Sequence, residues 1–102
     1  MKYAMIKRPS DMVIKILRRK SFDKSILEKL ENTTVDAIGM CQGTVIEIMV
    51  AGDIAEKTAD VLVCEINGSC PQHITCLAVI GSISAVDAAM EAIKASVDEN
   101  VG

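Results

Sequence analysis

The chain combines abundant apolar residues with an almost complete lack of aromatic ones, and this limits the kind of core it can build. Half of its 102 residues are apolar, yet only Tyr3 and Phe22 are aromatic and there is no Trp. A core must therefore be aliphatic, made of Val, Ile, Leu, Ala and six Met. The length is that of one ordinary domain. The lack of aromatic residues disfavours modules that stack bases or sugars on aromatic side chains.

Charge is distributed unevenly along the chain. The net charge is −3, and an acidic chain of this kind argues against a nucleic-acid partner. Residues 1–34 carry nine Lys and Arg against four acids, a balance of +5, whereas residues 35–102 carry −8. Three interpretations stay open: a solvated basic edge, a first third that binds something anionic, or two parts that meet across a self-complementary surface.

The four cysteines, at positions 41, 64, 70 and 76, are the residues with the widest range of possible chemical roles in this chain. The N-terminus has no apolar run typical of a signal peptide, and no stretch reaches the roughly 18 apolar residues of a membrane span. We therefore expect a cytoplasmic protein without a membrane partner, whose cysteines are not structural disulfides. Cys41, Cys64 and Cys76 lie in apolar runs and are expected to be buried core or face residues.

The hydrophobic pattern predicts a single α/β sandwich, with one sheet and helices packed on it. Strands are expected over 11–18, 35–41, 60–66 and 74–80, with Gly39 where another backbone comes close. Helices are expected over 22–31, 45–59 and 84–98, beginning at the caps Ser21, Thr44 and Ser84. An Asn-Gly pair and an internal Pro predict a loop over 67–72.

No catalytic constellation accompanies these elements. The sequence has no Cys–His–Asp grouping with a third partner and no phosphate-binding glycine loop before a helix. Asp53 and Glu56 share a predicted helix but have the spacing of solvent-facing residues. His73, beside the loop, is either a spare ligand, a proton carrier or a polar loop-end residue. The sequence predicts a protein that is not an enzyme.

Several motifs in a fixed order resemble one family. They are Asp36-Ala-Ile-Gly-Met40, the alanine-containing helix over 50–59, a strand, Gly68-Ser69, and the segment 79–89 with the sequence Val-Ile-Gly-Ser-Ile-Ser-Ala-Val-Asp-Ala-Ala. Together they resemble the BMC domain of bacterial microcompartment shell proteins over residues 36–96. The resemblance implies an α/β sandwich (α+β) with one mainly antiparallel sheet.

The predicted strand and short helix within residues 1–34 precede the motifs, whereas the family's standard order places them last. The chain therefore resembles the circularly permuted BMC subclass, as a single domain over 1–102. In this scheme residues 1–34 are the permuted strand and short helix, and 35–102 are the core with a pore loop at 67–73. The resemblance implies a flat homohexamer that tiles with other shell proteins of the compartment. Lys57 matches the family's edge lysine, but Thr58 replaces an alanine, and Ile80-Gly81-Ser82 replaces an Arg-Gly-Asp.

The predicted pore loop departs most from an ordinary tile. It is about two residues longer and contains a thiol, and its residues are Asn67, Gly68, Ser69, Cys70, Pro71 and Gln72. A Cys-Pro pair in a glycine-containing loop is a familiar setting for an iron–sulfur ligand. The Gly-x-Cys-Pro motif resembles that of permuted tiles from glycyl-radical microcompartments. This likeness implies an iron–sulfur cluster in the pore, [4Fe–4S] in type, bound through Cys70 and shared between subunits.

One thiol per chain cannot hold such a cluster, but six copies of Cys70 around a sixfold axis offer four thiolates if the loops break symmetry locally. The cluster would pass electrons across the shell to encapsulated redox enzymes, or would gate the pore. The alternatives are an ordinary metabolite-pore tile in which Cys70 is a bystander, a small ferredoxin-like regulatory domain that binds a metabolite, and a stand-alone redox protein.

Overall fold

The structure is a computed structural model that describes residues 1–21, 24–32, 35–66 and 74–101. The four strands form one sheet in the order β1-β2-β4-β3, and every neighbouring pair is antiparallel. This confirms the predicted mixed fold with one antiparallel sheet. The elements are β1 (Lys2–Lys7), α1 (Asp11–Lys20), α2 (Lys24–Glu31), β2 (Ala37–Thr44), α3 (Val45–Thr58), β3 (Leu62–Ile66), β4 (Ile74–Gly81) and α4 (Ile83–Val101).

Strands β2 and β4 form the centre of the sheet and are buried on both faces at the end where Ala37 pairs with Gly81. They pair along their whole length, from Ala37 opposite Gly81 to Thr44 opposite Ile74. Because side chains alternate along a strand, each strand contributes to two cores. On one face the strands pack against α3 and α4, in an aliphatic core whose buried members are Ala37, Cys41, Ile48, Ala51, Ala55, Leu77, Val79, Val86, Ala89, Met90, Ile93 and Val97.

Helices α1 and α2 cover the opposite face of the sheet. The buried residues of this second core are Leu17, Leu30, Ile38, Cys64, Ala78 and Ile80. The sheet is therefore the middle layer between two pairs of helices. None of the buried residues of the described chain is polar or charged, so the prediction of an aliphatic core is confirmed.

The strand predicted over 11–18 is wrong, because this segment is helix α1. Ser10 caps the helix: its Oγ accepts a hydrogen bond from the Val13 N–H at 3.4 Å, and its carbonyl accepts one from the Ile14 N–H at 3.1 Å. The β-branched run suggested a strand, but a short apolar run fits either element. The helical spacing of Val13, Ile14 and Leu17 turns the apolar side chains toward the sheet.

Strand β1 was not predicted from the sequence. It pairs with β2 from Lys2 opposite Gln42 to Lys7 opposite Ala37, and forms one edge of the sheet. A lysine at each end is typical of an edge strand. The two lysines leave only a short apolar segment between them, which is hard to recognise as a strand in the sequence. The chain leaves β1 through Arg8, whose φ of 54° is in the left-handed region. Its N–H donates to the Asp36 carbonyl at 2.8 Å.

The other predicted elements exist with shifted ends. The expected cap Ser21 ends α1 instead, since its N–H donates to the Leu17 carbonyl at 3.1 Å. Thr44 caps α3, as predicted. At the last helix the predicted cap Ser84 is wrong, because it is the Ser82 Oγ that accepts from the Ala85 N–H at 3.2 Å.

The two pairs of helices carry opposite charge. Helices α1 and α2 together hold six Lys and Arg against three acids, whereas α3 and α4 hold seven acids against two Lys. Since the pairs lie on opposite faces of the sheet, the uneven charge of the sequence becomes a basic face and an acidic face.

Gly39, in the middle of β2, lets α4 lie close against the sheet. A Cβ at this position would be 2.7 Å from Cγ and Sδ of Met90 and 3.0 Å from Val86 Cγ1. Gly52 of α3 differs, because a Cβ there would meet only Val63 and Leu77, at 3.7 Å or more. The sequence predicts another backbone close to Gly39, but the atoms nearest to it are the side chains of Met90 and Val86.

We expect these two glycines to respond in opposite ways to alanine. Gly39→Ala should lower the free energy of unfolding by about 1–3 kcal/mol, because Val86 and Met90 must move. Gly52→Ala should raise it by about 0.5–1 kcal/mol, because alanine is the better helix former and fits without a clash. Urea denaturation at one protein concentration measures both. Equal effects of the two substitutions would contradict the close packing at Gly39.

Candidate functional site: the loop end of the sheet

The predicted pore loop joins two neighbouring strands at one end of the sheet, which we call the loop end. Strand β3 ends at Ile66 and β4 begins at Ile74, and β2 finishes beside them at Thr44, opposite Ile74. The loop residues Asn67, Gly68, Ser69, Cys70, Pro71 and Gln72, and His73 after them, lie outside the described residues. Their predicted roles therefore stay predictions, and the described site is the frame from which the loop starts.

A capping box fixes the start of α3 at the loop end. The Thr44 N–H and Oγ1–H donate to Glu47 Oε1 at 2.9 and 3.0 Å, and the Glu47 N–H donates to Thr44 Oγ1 at 3.3 Å. The hydrogen bonds from Thr44 hold the pKa of the Glu47 carboxyl below its usual value, the backbone bond having the larger effect. Gly43 leaves room for this carboxylate, since a Cβ there would be 2.8 Å from Oε1. The first turn of the helix is thus tied to the end of β2.

Large apolar side chains are exposed next to this cap. Val45, Ile46 and Met49 of α3 are 47%, 61% and 71% exposed, and Ile74 at the start of β4 is 37% exposed. We call these four residues the loop-end patch. The run from Val45 to Val50 is the sequence signal for this exposure, because its apolar residues occupy more of the helix than one face can bury.

Three cysteines lie in the sheet, as the sequence predicts. Cys41 of β2 and Cys64 of β3 are 1% and 5% exposed, and Cys76 of β4 is half-buried. Burial raises the pKa of all three thiols, that of Cys41 to about 11. They are therefore neutral at physiological pH. Within the described part of the chain, no three or more His, Cys, Asp or Glu residues are grouped so as to hold a metal ion.

The predicted edge residue Lys57 lies far from the loop end. It is in the last turn of α3, about 12–18 Å along the helix from the patch residues Met49 and Val45. Its Nζ is 2.8 Å from Asp53 Oδ2 one turn earlier, and this contact raises the pKa of Lys57. Both side chains are largely exposed, and Glu56 is exposed too, which agrees with the predicted solvent-facing spacing. The structure does not bring Lys57 to the same site as the loop.

Comparison with known proteins identifies the family. The family model described as the BMC domain matches residues 37–102, which is more than half of the chain. The chain therefore belongs to the BMC-domain family of microcompartment shell proteins. The match begins where β2 begins, so that β1, α1 and α2 precede it.

Solved structures of shell proteins resemble the chain over almost all of its length. The GrpU microcompartment shell protein from Pectobacterium wasabiae, in a ligand-free structure, is 31% identical with a TM-score of 0.75, covering 91% of this chain and 99% of that one. The ligand-free GrpU protein from Clostridiales bacterium 1_7_47FAA is 35% identical with a TM-score of 0.68, covering 92% and 88%. A search of the curated proteins finds no match.

A third structure shares the fold at low identity. It is the fused permuted hexameric shell protein of the RMM microcompartment, 14% identical with a TM-score of 0.68, and the match covers all of this chain and 48% of that one. None of the described helices is long and apolar enough to cross a membrane.

These findings decide among the alternatives left open by the sequence. The relatives are structural shell proteins rather than enzymes, as predicted. They favour the shell protein over the small regulatory domain and over the stand-alone redox protein. The choice between a tile with an iron–sulfur cluster and an ordinary tile rests on Cys70.

Proposed function

We propose that this chain forms a cyclic homohexameric tile in the shell of a bacterial microcompartment in the cytoplasm. The loop over 67–73 lines the central pore, and Lys57 lies on the seam to neighbouring tiles. Other shell proteins of the same compartment are the partners along that seam. The proposal is supported most directly by the loop-end patch. Covering its four large apolar side chains with another copy of the chain would remove them from water and stabilise the assembly.

The proposed tile is circularly permuted. Strand β1 pairs with β2 over six residues, and α1 and α2 supply the second core, so the first third is an integral part of the sandwich. It nevertheless precedes the segment that the family model matches. The likeness in fold to a shell protein described as permuted extends over the whole chain. Permutation of this kind is tolerated because the termini of a domain often lie close together at its surface.

We further propose that the pore loop binds an iron–sulfur cluster of the [4Fe–4S] type through Cys70. The chemistry of the donor fits, because such clusters are held by cysteine thiolates. Within one chain the donors do not suffice, since Cys41, Cys64 and Cys76 are held in the sheet. The ligands would thus be Cys70 residues from several subunits. Such a cluster supplies one-electron redox chemistry, which suits electron transfer across the shell to encapsulated redox enzymes.

The loop-end patch gives a test of the assembly. Met49→Glu places a charge in the patch and should convert the tile into a folded monomer of about the chain mass of 10.9 kDa, because a buried unpaired carboxylate is costly. Met12→Glu is the control, since Met12 is a similarly exposed methionine on α1. Native mass spectrometry measures both. A Met49→Glu variant that still forms hexamers would contradict the proposed interface.

The seam has its own test. Lys57→Ala should leave the hexamer intact and prevent it from forming extended flat sheets, which electron microscopy detects. Lys15→Ala, which removes a lysine from the opposite face, is the control and should form sheets like the unchanged protein. Sheets of normal extent from Lys57→Ala would remove this residue from the proposed seam.

The cluster is tested on protein purified without oxygen. We expect a broad visible absorbance near 400 nm, with iron and sulfide bound in equal amounts, and a hexameric native mass. Cys70→Ser should abolish the absorbance and the iron while the hexamer persists, and Cys41→Ala should retain both. If the unchanged protein is a hexamer without iron, the metabolite-pore tile is the correct function. Colour that survives Cys70→Ser would show a different ligand set.

A further inference from the structure

Helix α1 exposes two large apolar side chains on its outer side. Met12 is 66% exposed and Ile16, one turn later, is 39% exposed, while Leu17 is buried against the sheet. Lys15 and Arg19 are exposed as well. They are one turn apart and lie along one flank of the apolar pair, as residues at this spacing do on a helix. The outer side of α1 is thus an apolar pair with positive charge beside it.

Helix α4 has a corresponding outer side on the opposite face of the sheet. Ala88 and Ala95, two turns apart, are exposed there and present only small side chains. Asp87 and Glu91, one turn apart, are exposed beside them and lie along one flank of the alanines. Large apolar residues next to cations on α1 are therefore matched by small residues next to acids on α4.

These charges lack a counter-ion in their own chain. Among the described residues, Lys57 forms a salt bridge with Asp53, and neither the two cations of α1 nor the two acids of α4 form one. Lys94, which follows Glu91 by three residues, lies over the Tyr3 ring at 5.4 Å instead. Because α1 and α4 cover opposite faces of the sheet, a chain cannot bring its own two outer sides together. A second copy can.

We propose that the outer side of α1 docks on the outer side of α4 from a copy in another tile, so that tiles stack face to face. The inference rests on the proposed hexameric tile, whose ring contact lies at the loop end. Met12 and Ile16 pack over the exposed alanines of α4. The two helices cross antiparallel, because helices that face each other in opposite directions meet along flanks of the same hand. This crossing brings the cations to the acids.

One contact of this kind is weak, since an exposed ion pair contributes little by itself. A hexamer makes six such contacts at once, and each one after the first forms at a high effective concentration. The contact joins two different surfaces, and a contact of this type that does not close into a ring continues from copy to copy. Salt screens the attraction. We therefore expect stacks at low salt that separate into single tiles at high salt.

Charge reversal tests the contact in reduced, assembled protein. The α1 variant carries Lys15→Glu and Arg19→Glu, and the α4 variant carries Asp87→Lys and Glu91→Lys. Sedimentation velocity compares them in about 0.01 M and about 1 M sodium chloride, where charges are screened over about 30 Å and about 3 Å. The unchanged protein should sediment as two or more tiles at low salt and as one tile at high salt.

Each variant alone should remain a single tile at both salt concentrations, because like charges then face each other. An equal mixture of the two variants should stack again at low salt, since every reversed side then meets the opposite charge. The matched control reverses two exposed lysines of α2 on the same face, Lys24→Glu and Lys29→Glu. It carries the same net charge as the α1 variant and should stack like the unchanged protein.

The outcomes separate the stack from the tile. Unchanged hexamers that stay single at low salt would overturn the stack and leave the proposed tile intact. Loss of stacking in the α2 control, or a mixture that does not stack, would show that net charge governs the association and would also overturn it. Native mass spectrometry should find a hexamer in both variants. Smaller species in the α1 variant would place α1 in the ring instead, and an unchanged protein that is a monomer would overturn the tile and the stack together.

Discussion

The pairing of β2 with β4 is the contact on which the rest of the chain depends. Both strands have a neighbour on each side and helices on each face, so both contribute buried residues to the two cores. The positions of α3 and α4 follow from it, because each helix begins directly after one of these strands. Gly39 of β2 and Ala78 of β4 are small, so the helices on the two faces can lie close to these strands. Aliphatic side chains are then large enough to fill the space between the sheet and the helices. A core without large aromatic residues needs such close layers to bury enough apolar surface.

Much of this fold could be predicted from local patterns, and the errors have physical causes. The apolar strands β2, β3 and β4 and the helices that follow β2 and β4 are evident from their periodicity. The segment over 11–18 was misassigned because its β-branched residues favour a strand locally, while the Ser10 cap and packing against the sheet favour a helix. Strand β1 is stabilised by its pairing with β2, thirty to forty residues away, which no local pattern contains.

The parts of the candidate site that depend on neighbouring residues in the sequence could be predicted, and the parts that depend on distant contacts could not. The Thr44 cap is a short-range motif and was found. The exposure of Val45 and Met49 was not, because an apolar residue that meets another copy looks the same in sequence as one that meets its own core. The burial of Cys41, Cys64 and Cys76 follows from their apolar strands. Their sorting onto two faces needs the strand register, which only the structure supplies.

The opposite charge of the two pairs of helices has a consequence for any ring of these subunits. A ring generated by rotation alone presents every copy the same way up. The components of the subunit dipoles that lie in the plane of the ring then cancel, and those along the axis add. If the basic and acidic faces lie on the two sides of the ring, such a plate is electrically polar through its thickness and its two sides attract different ions and different surfaces. Orientation in a shell would then carry an energetic preference that no single contact contains, weakened by salt over about 10 Å.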